Sequence, residues 1–145
     1  MVLHLFTEKS LFVSWMKNNM KNTTSIGRYG EKIACEYLKN QKYKIIDQNF
    51  YSSHNEIDII AENKQYIIFV EVKTRSCLSI EDLNYGSPAS AVTYSKQKRT
   101  LAAARSYLNE HQTRKSPRLD VIEVFLNKND NSVIKINHIE DAFGN

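Results

Sequence analysis

Three side chains on two neighbouring apolar segments could do chemistry. Asp58 lies in the run Glu56-Ile57-Asp58-Ile59-Ile60-Ala61, and Glu71 and Lys73 close the run Ile67-Ile68-Phe69-Val70-Glu71-Val72-Lys73. Carboxylates are hard oxygen donors suited to Mg2+, and also to Mn2+. The backbone carbonyl of Val72 can add a further oxygen. On a strand, a lysine two residues past a glutamate points to the same place. There it can orient a water or offset the charge of a phosphate. A divalent ion held by Asp58 and Glu71 would lower the pKa of a water and polarise a scissile phosphodiester. The competing reading is a surface hairpin with a plain Glu71–Lys73 ion pair. What argues for a site is the apolar run that precedes the charges, because a strand buried in its middle and charged at one tip presents that tip to solvent.

The elements that must hold these residues follow from periodicity. Apolar residues Ile26, Tyr29, Ile33, Ala34, Tyr37 and Leu38 recur at helical spacing after Ser25, a good N-cap residue, and predict a helix over 26–40. Strands are expected over 43–51, 56–61 and 65–75, with Glu62-Asn63-Lys64 as the turn of an antiparallel hairpin. In that hairpin Glu56 and Asp58 share one strand face. Glu71, Lys73 and Arg75 share another with Ile67 and Phe69, while Ile68, Val70 and Val72 face a core. An irregular loop over 77–88 leads to a long helix over 89–111. Strands over 119–126 and 133–139 complete the order α-β-β-β-α-β-β, an α/β fold around a mixed sheet flanked by helices.

The length of 145 residues suits one domain with a core of its own. The net charge of +4 is modest, but its distribution is uneven. Between Tyr85 and Arg118 stand Lys96, Lys98, Arg99, Arg105, Arg114, Lys115 and Arg118 against the single acid Glu110. A basic surface of this kind fits a nucleic-acid backbone, with Lys96, Lys98 and Arg99 at the start of the long helix as the phosphate contacts. Lys98 lies near the apolar stripe and Lys96 on the polar side. Cys35 and Cys77 show no C-x-x-C spacing, which argues against zinc and for a cytoplasmic protein with reduced thiols. No apolar run is long enough to span a bilayer. Residues 1–24 read as an extension, either a short amphipathic helix (Val2, Leu5, Phe6, Lys9, Phe12, Val13, Met16) or chain upstream of the folded domain at 25–145. Asp120 reads as a cap or as a partner of Arg118, and His54 as a loop residue without a role.

The stretch Asn55-Glu56-Ile57-Asp58-Ile59-Ile60-Ala61, followed by Phe69-Val70-Glu71-Val72-Lys73-Thr74-Arg75, resembles the YraN-like family of bacterial proteins. The likeness extends to Gly30-Glu31, Ala91-Val92-Thr93, Ser95-Lys96-Gln97, Arg118-Leu119-Asp120-Val121 and Ile139-Glu140-Asp141-Ala142-Phe143. That family is similar in fold to restriction endonucleases and archaeal Holliday junction resolvases. The resemblance implies a restriction-endonuclease-like core in which a helix glutamate, here Glu31, joins Asp58, Glu71 and Lys73 around one metal. By itself Glu31 is equally a solvated helix acid. Where the family pattern has glycine before Glu56 this chain has Asn55, a residue that tolerates left-handed backbone. The function implied is a metal-dependent nuclease acting on DNA, with Holliday-junction-like branched DNA as one substrate form. Junction resolvases of this fold are dimers, so a homodimer stays open. The alternative is a binding module that keeps the nuclease fold without turnover.

Overall fold

The structure, a computed structural model, describes residues 23–84 and 92–143. Helix α1 (Thr23–Asn40) begins three residues before the expected start. It ends where Lys42 turns left-handed (φ 68°) and the Tyr43 amide donates to the Leu38 carbonyl at 2.9 Å. The chain then builds a meander of β1 (Lys44–Ser52), β2 (Asn55–Glu62) and β3 (Tyr66–Cys77). A short 3-10 helix, Ile80–Asn84, follows β3. Helix α2 (Tyr94–Glu110) crosses back, and β4 (Ser116–Asn127) and β5 (Val133–Ile139) finish the sheet. Among the described residues five strands lie in sequence order, antiparallel except for β3 and β4, which run parallel. The parallel pair needs a crossover, and α2 supplies it. The fold is α/β with a mixed sheet between two helices, in the element order read from the sequence.

Several boundaries differ from expectation. The long helix starts at Tyr94, capped by the Thr93 hydroxyl, which accepts from the Lys96 amide at 3.2 Å; expected helical positions 89–91, like the N-terminal extension up to residue 22, lie outside the described residues. Strand β4 begins at Ser116 rather than 119, because the Ser116 amide already donates to the Gln65 carbonyl at 3.0 Å. Asp120 is therefore inside a strand. The left-handed residues of the β1–β2 turn are Ser53 and His54, while Asn55 pairs with Ser52 in the ladder. The positive-φ explanation for Asn55 fails accordingly. Two successive left-handed residues are what a tight hairpin turn demands.

Two cores sandwich the sheet. On the α1 side, Ala34, Cys35 and Leu38 pack on Ile59, Ala61, Ile68, Val70, Ile122, Val124 and Leu126. On the other, Ala103, Ala104 and Tyr107 of α2 pack on Ile57, Ile60, Ile67 and Phe69. Strand β3 is thus buried on both faces, which is why its sequence is a continuous apolar run. Each fully buried isoleucine or valine contributes about 1.5–3 kcal/mol of burial.

Candidate functional site

The two cores expose an irregularity in β2. Ile59 and Ala61 belong to the α1 side and Ile60 to the α2 side, as alternation requires, yet Ile57 joins the α2 side with Ile60. Alternation breaks at Asp58. Pairing between β2 and β3 also stops there, at Ile59 opposite Val70. Beyond this point the strands part, and the Asp58 carboxylate takes over the ladder: its Oδ2 accepts from the Val72 amide at 2.7 Å. The gap between the strands brings together groups from both sides of the sheet.

Glu71, 4% exposed, lies at the centre. Lys73 Nζ stands 3.5 Å from its Oε1, and Lys96 Nζ, from the first turn of α2, 3.3 Å from its Oε2. Neither contact gives Oε2 a hydrogen bond, and among the described residues this buried oxygen has no hydrogen-bond partner. An orphaned buried carboxylate oxygen is uncommon and calls for an explanation. Burial first, and then the charge of Glu71, pushes the Asp58 carboxyl up to about 7; Glu31 adds to the rise, and the Val72 amide and Lys96 oppose it. Glu31, half-buried on α1, is likewise raised, by burial and then by Glu56 and Glu71, with Arg28 opposing. The four acids Glu31, Glu56, Asp58 and Glu71 therefore share one electrostatic neighbourhood. Among the described residues no group of three His, Cys, Asp or Glu side chains is close enough to hold a metal by itself.

Gly30 explains how Glu31 gets there. A Cβ at position 30 would collide with the Thr74 side chain, so only glycine lets α1 settle onto the end of β3. Next to Glu31 a groove of about 990 Å3 opens between α1 and the β1–β2 hairpin, with Arg28, Lys32, Gln48, Asn49 and Glu56 on its walls.

The basic segment divides. Lys96 reaches Glu71 of β3 and lies on the helix face that buries Thr100, Ala103, Ala104 and Tyr107, not on the polar side expected of it. Lys98 is exposed with its Nζ 4.6 Å from the Tyr94 ring centre, and Arg99, Arg105 and Arg114 are exposed. Lys115 pairs with Glu62 at 2.9 Å. Arg118 is held by Asp120 through Nε and Nη2, both at 2.8 Å, by the Tyr43 hydroxyl at 2.9 Å, and over the Tyr66 ring. Asp120, fully buried, also meets His138 Nε2 at 2.7 Å and accepts from the Asp141 amide at 3.0 Å. Burial alone would raise this carboxyl; the bonds from His138, Arg118 and the Asp141 amide overturn that and hold it below the ordinary carboxylate range. Asp120 is a lock that fastens the C-terminal segment to the sheet, in keeping with its reading as a partner of Arg118.

Glu123, which motif spacing does not single out, is 4% exposed and lies in register with Lys73, on the same sheet face as Glu71. The signal was available: an acid inside the apolar run Val121-Ile122-Glu123-Val124. Among the described residues, no helix is long and apolar enough to cross a membrane.

A family model described as Uncharacterised protein family UPF0102 matches residues 30–124. The chain is 42% identical over 123 residues to a UPF0102 protein of Caldanaerobacter subterraneus, covering 84% of this chain and 97% of that protein. It is 42% identical over 124 residues to one of Clostridium botulinum, covering 85% and 97%. A UPF0102 protein of Chloroherpeton thalassium is 38% identical over 130 residues, covering 86% and 97%.

Proposed function

We propose, for a chain that belongs to the uncharacterised protein family UPF0102, that it is a metal-dependent nuclease that hydrolyses phosphodiesters in DNA, with branched four-way DNA among its substrates. One observation carries the reading: where β2 and β3 part, the Asp58 carboxylate is bonded to the Val72 amide and feels the charge of Glu71, which has Lys73 and Lys96 beside it and a buried oxygen with no hydrogen bond among the described residues. A β-sheet that breaks its own ladder to seat a carboxylate incurs a cost that a purely structural hairpin would avoid.

The donor set fits Mg2+ or Mn2+. Mg2+ commonly takes only one or two carboxylates and keeps several waters, so Asp58 and Glu71 suffice, with the Val72 carbonyl as a further donor. When bound, the ion would supply charge neutralisation at the phosphate and a water of lowered pKa. The chain's own residues do the rest. Glu71 Oε2 and the Asp58 carboxylate fix the negative end of the site. Lys73 places a cation beside the phosphate and stabilises charge that develops on its oxygens. Glu31, whose carboxyl feels the charges of Glu56 and Glu71, would hold or orient a water there. Exposed Lys98 and Arg99, with Arg105 on the same helix, hold the DNA backbone.

The purified chain should cleave four-way, flap or linear DNA with Mg2+ or Mn2+ and not with EDTA. Asp58→Ala should abolish cleavage and spare binding. DNA binding by the wild type without cleavage in either metal, together with Mn2+ affinity unchanged by Asp58→Ala, would instead make the protein a non-catalytic binding module. The lysines flanking Glu71 favour that second reading, because they stand where a cation would.

A further inference from the structure

The face of β3 that carries Glu71 and Lys73 continues one step further. Arg75 shares it by strand parity, about 6.6 Å beyond Lys73 at the usual rise per residue. Next to it, in register with Lys73, is Glu123 of β4, and next to Glu123 on β5 is Asn137. Asn137 Nδ2 donates to Glu123 Oε2 at 2.9 Å, and Arg75 Nε lies 3.4 Å from Glu123 Oε1. The two ends of the ion pair differ sharply in exposure, with the Glu123 side chain at 5% and the Arg75 side chain at 44%. An ordinary surface ion pair exposes both partners and contributes little. Burying one of them costs desolvation that an apolar residue at 123 would avoid. What the arrangement achieves is placement: an anchored carboxylate, steadied from the strand beyond, holds a surface guanidinium by its Nε edge. The remaining nitrogens belong to a rigid fork that matches phosphate geometry.

We propose that Arg75 is a second phosphate-binding group, which takes the nucleic-acid phosphate next along the strand from the one at Lys73. Glu123, supported by Asn137, is the positioning residue that aims it. The inference rests on the nucleic-acid reading of the site and extends it from one phosphate to two.

The test is equilibrium binding of a labelled four-way DNA in EDTA across a salt series. Wild type, Arg75→Ala, Arg75→Lys, Glu123→Gln and the Arg75→Ala/Glu123→Gln double variant are compared, each checked for native melting. Arg75→Ala should bind about tenfold more weakly, and the slope of log affinity against log salt should fall by about 0.9. Arg75→Lys should keep the slope and recover only part of the affinity. Glu123→Gln gives the sharpest result. Charge counting says that removing a carboxylate tightens DNA binding, whereas loss of positioning weakens it, and the weakening should vanish when Arg75 is already alanine. The inference is overturned if Glu123→Gln tightens binding, or if Arg75→Ala leaves affinity and slope unchanged in a wild type that binds. A wild type that binds no DNA at any salt overturns the nucleic-acid reading itself, and this inference with it.

Discussion

Replacing Asp58 by asparagine should make the metal-free protein more stable at pH 8, although Asp58 is the residue on which activity is expected to depend most. Its carboxyl is pushed up to about 7, first by burial and then by Glu71, against an unfolded value near 4. The folded state therefore binds a proton that the unfolded state has released. Stability falls as pH rises from about 4 to 7, and the whole cost is present above 7. Three pH units correspond to about 4 kcal/mol. Asparagine carries no charge, and its carbonyl oxygen can still accept from the Val72 amide. The substitution should recover about 2–4 kcal/mol at pH 8, the lower figure allowing for the burial of an amide. With a urea slope of about 2 kcal/mol/M, the midpoint should rise by about 1–2 M. The assay is urea unfolding in EDTA at pH 8 and at pH 4.5, where the gain should nearly vanish. Excess Mg2+ should then stabilise the wild type and leave the asparagine variant unmoved. A variant that is less stable at pH 8, or equally stabilised at both pH values, would refute the claim that the Asp58 carboxylate is repelled by its surroundings.

Asp120→Ala should act in the opposite direction: it leaves Arg118 and His138 facing a buried gap and should destabilise the protein by about 3–5 kcal/mol in denaturant unfolding. Because the Asp120 carboxyl is held below its ordinary range, the stability it contributes is present above pH 4 and should be lost as acid titrates through its folded pKa, visible as the acid limb of a melting-temperature profile. Lys96→Met removes a cation 3.3 Å from Glu71 Oε2 and should tighten Mn2+ binding severalfold in a direct titration, whereas a lysine that merely covers the surface would leave it unchanged. Gly30→Val should push α1 off Thr74 and lower the melting temperature by several degrees; an unchanged melt would contradict the close packing there.

Strand parity placed Glu71, Lys73 and Arg75 on one face, because alternation is a property of the backbone alone. Asp58 was legible for a different reason than the one that holds it. The sequence places it on the same face as Glu56, but the break in alternation at Ile57 and the bond to the Val72 amide are products of the strands parting, which no local pattern announces. The direction of Lys96 depends on where α2 rests on the sheet, so helical periodicity placed it on the wrong side. The excess of basic residues overstated the exposed patch, since Lys96, Lys115 and Arg118 are engaged with Glu71, Glu62 and Asp120. Glu123 stands out as an acid inside an apolar run, but its place beside Lys73 is hidden, because the parallel register of β3 with β4 joins residues 50 apart, such as Tyr66 and Ser116, and only that register sets the two side by side.

That long-range register also predicts an order for the events of folding. Helix α1 and the meander β1–β2–β3 are joined by short turns and can form from local contacts, whereas β4 must first close a loop of about 50 residues, at an entropic cost that slows it. Glu31, Asp58 and Glu71 lie in the early part; Lys96 and Glu123 arrive with the crossover. The nascent site is consequently a group of mutually repelling acids, offset only by Lys73, beside an open 12-residue strand edge that is apolar over its first five residues. It is a state in which divalent cations should speed refolding and in which intermediates are prone to stick to one another.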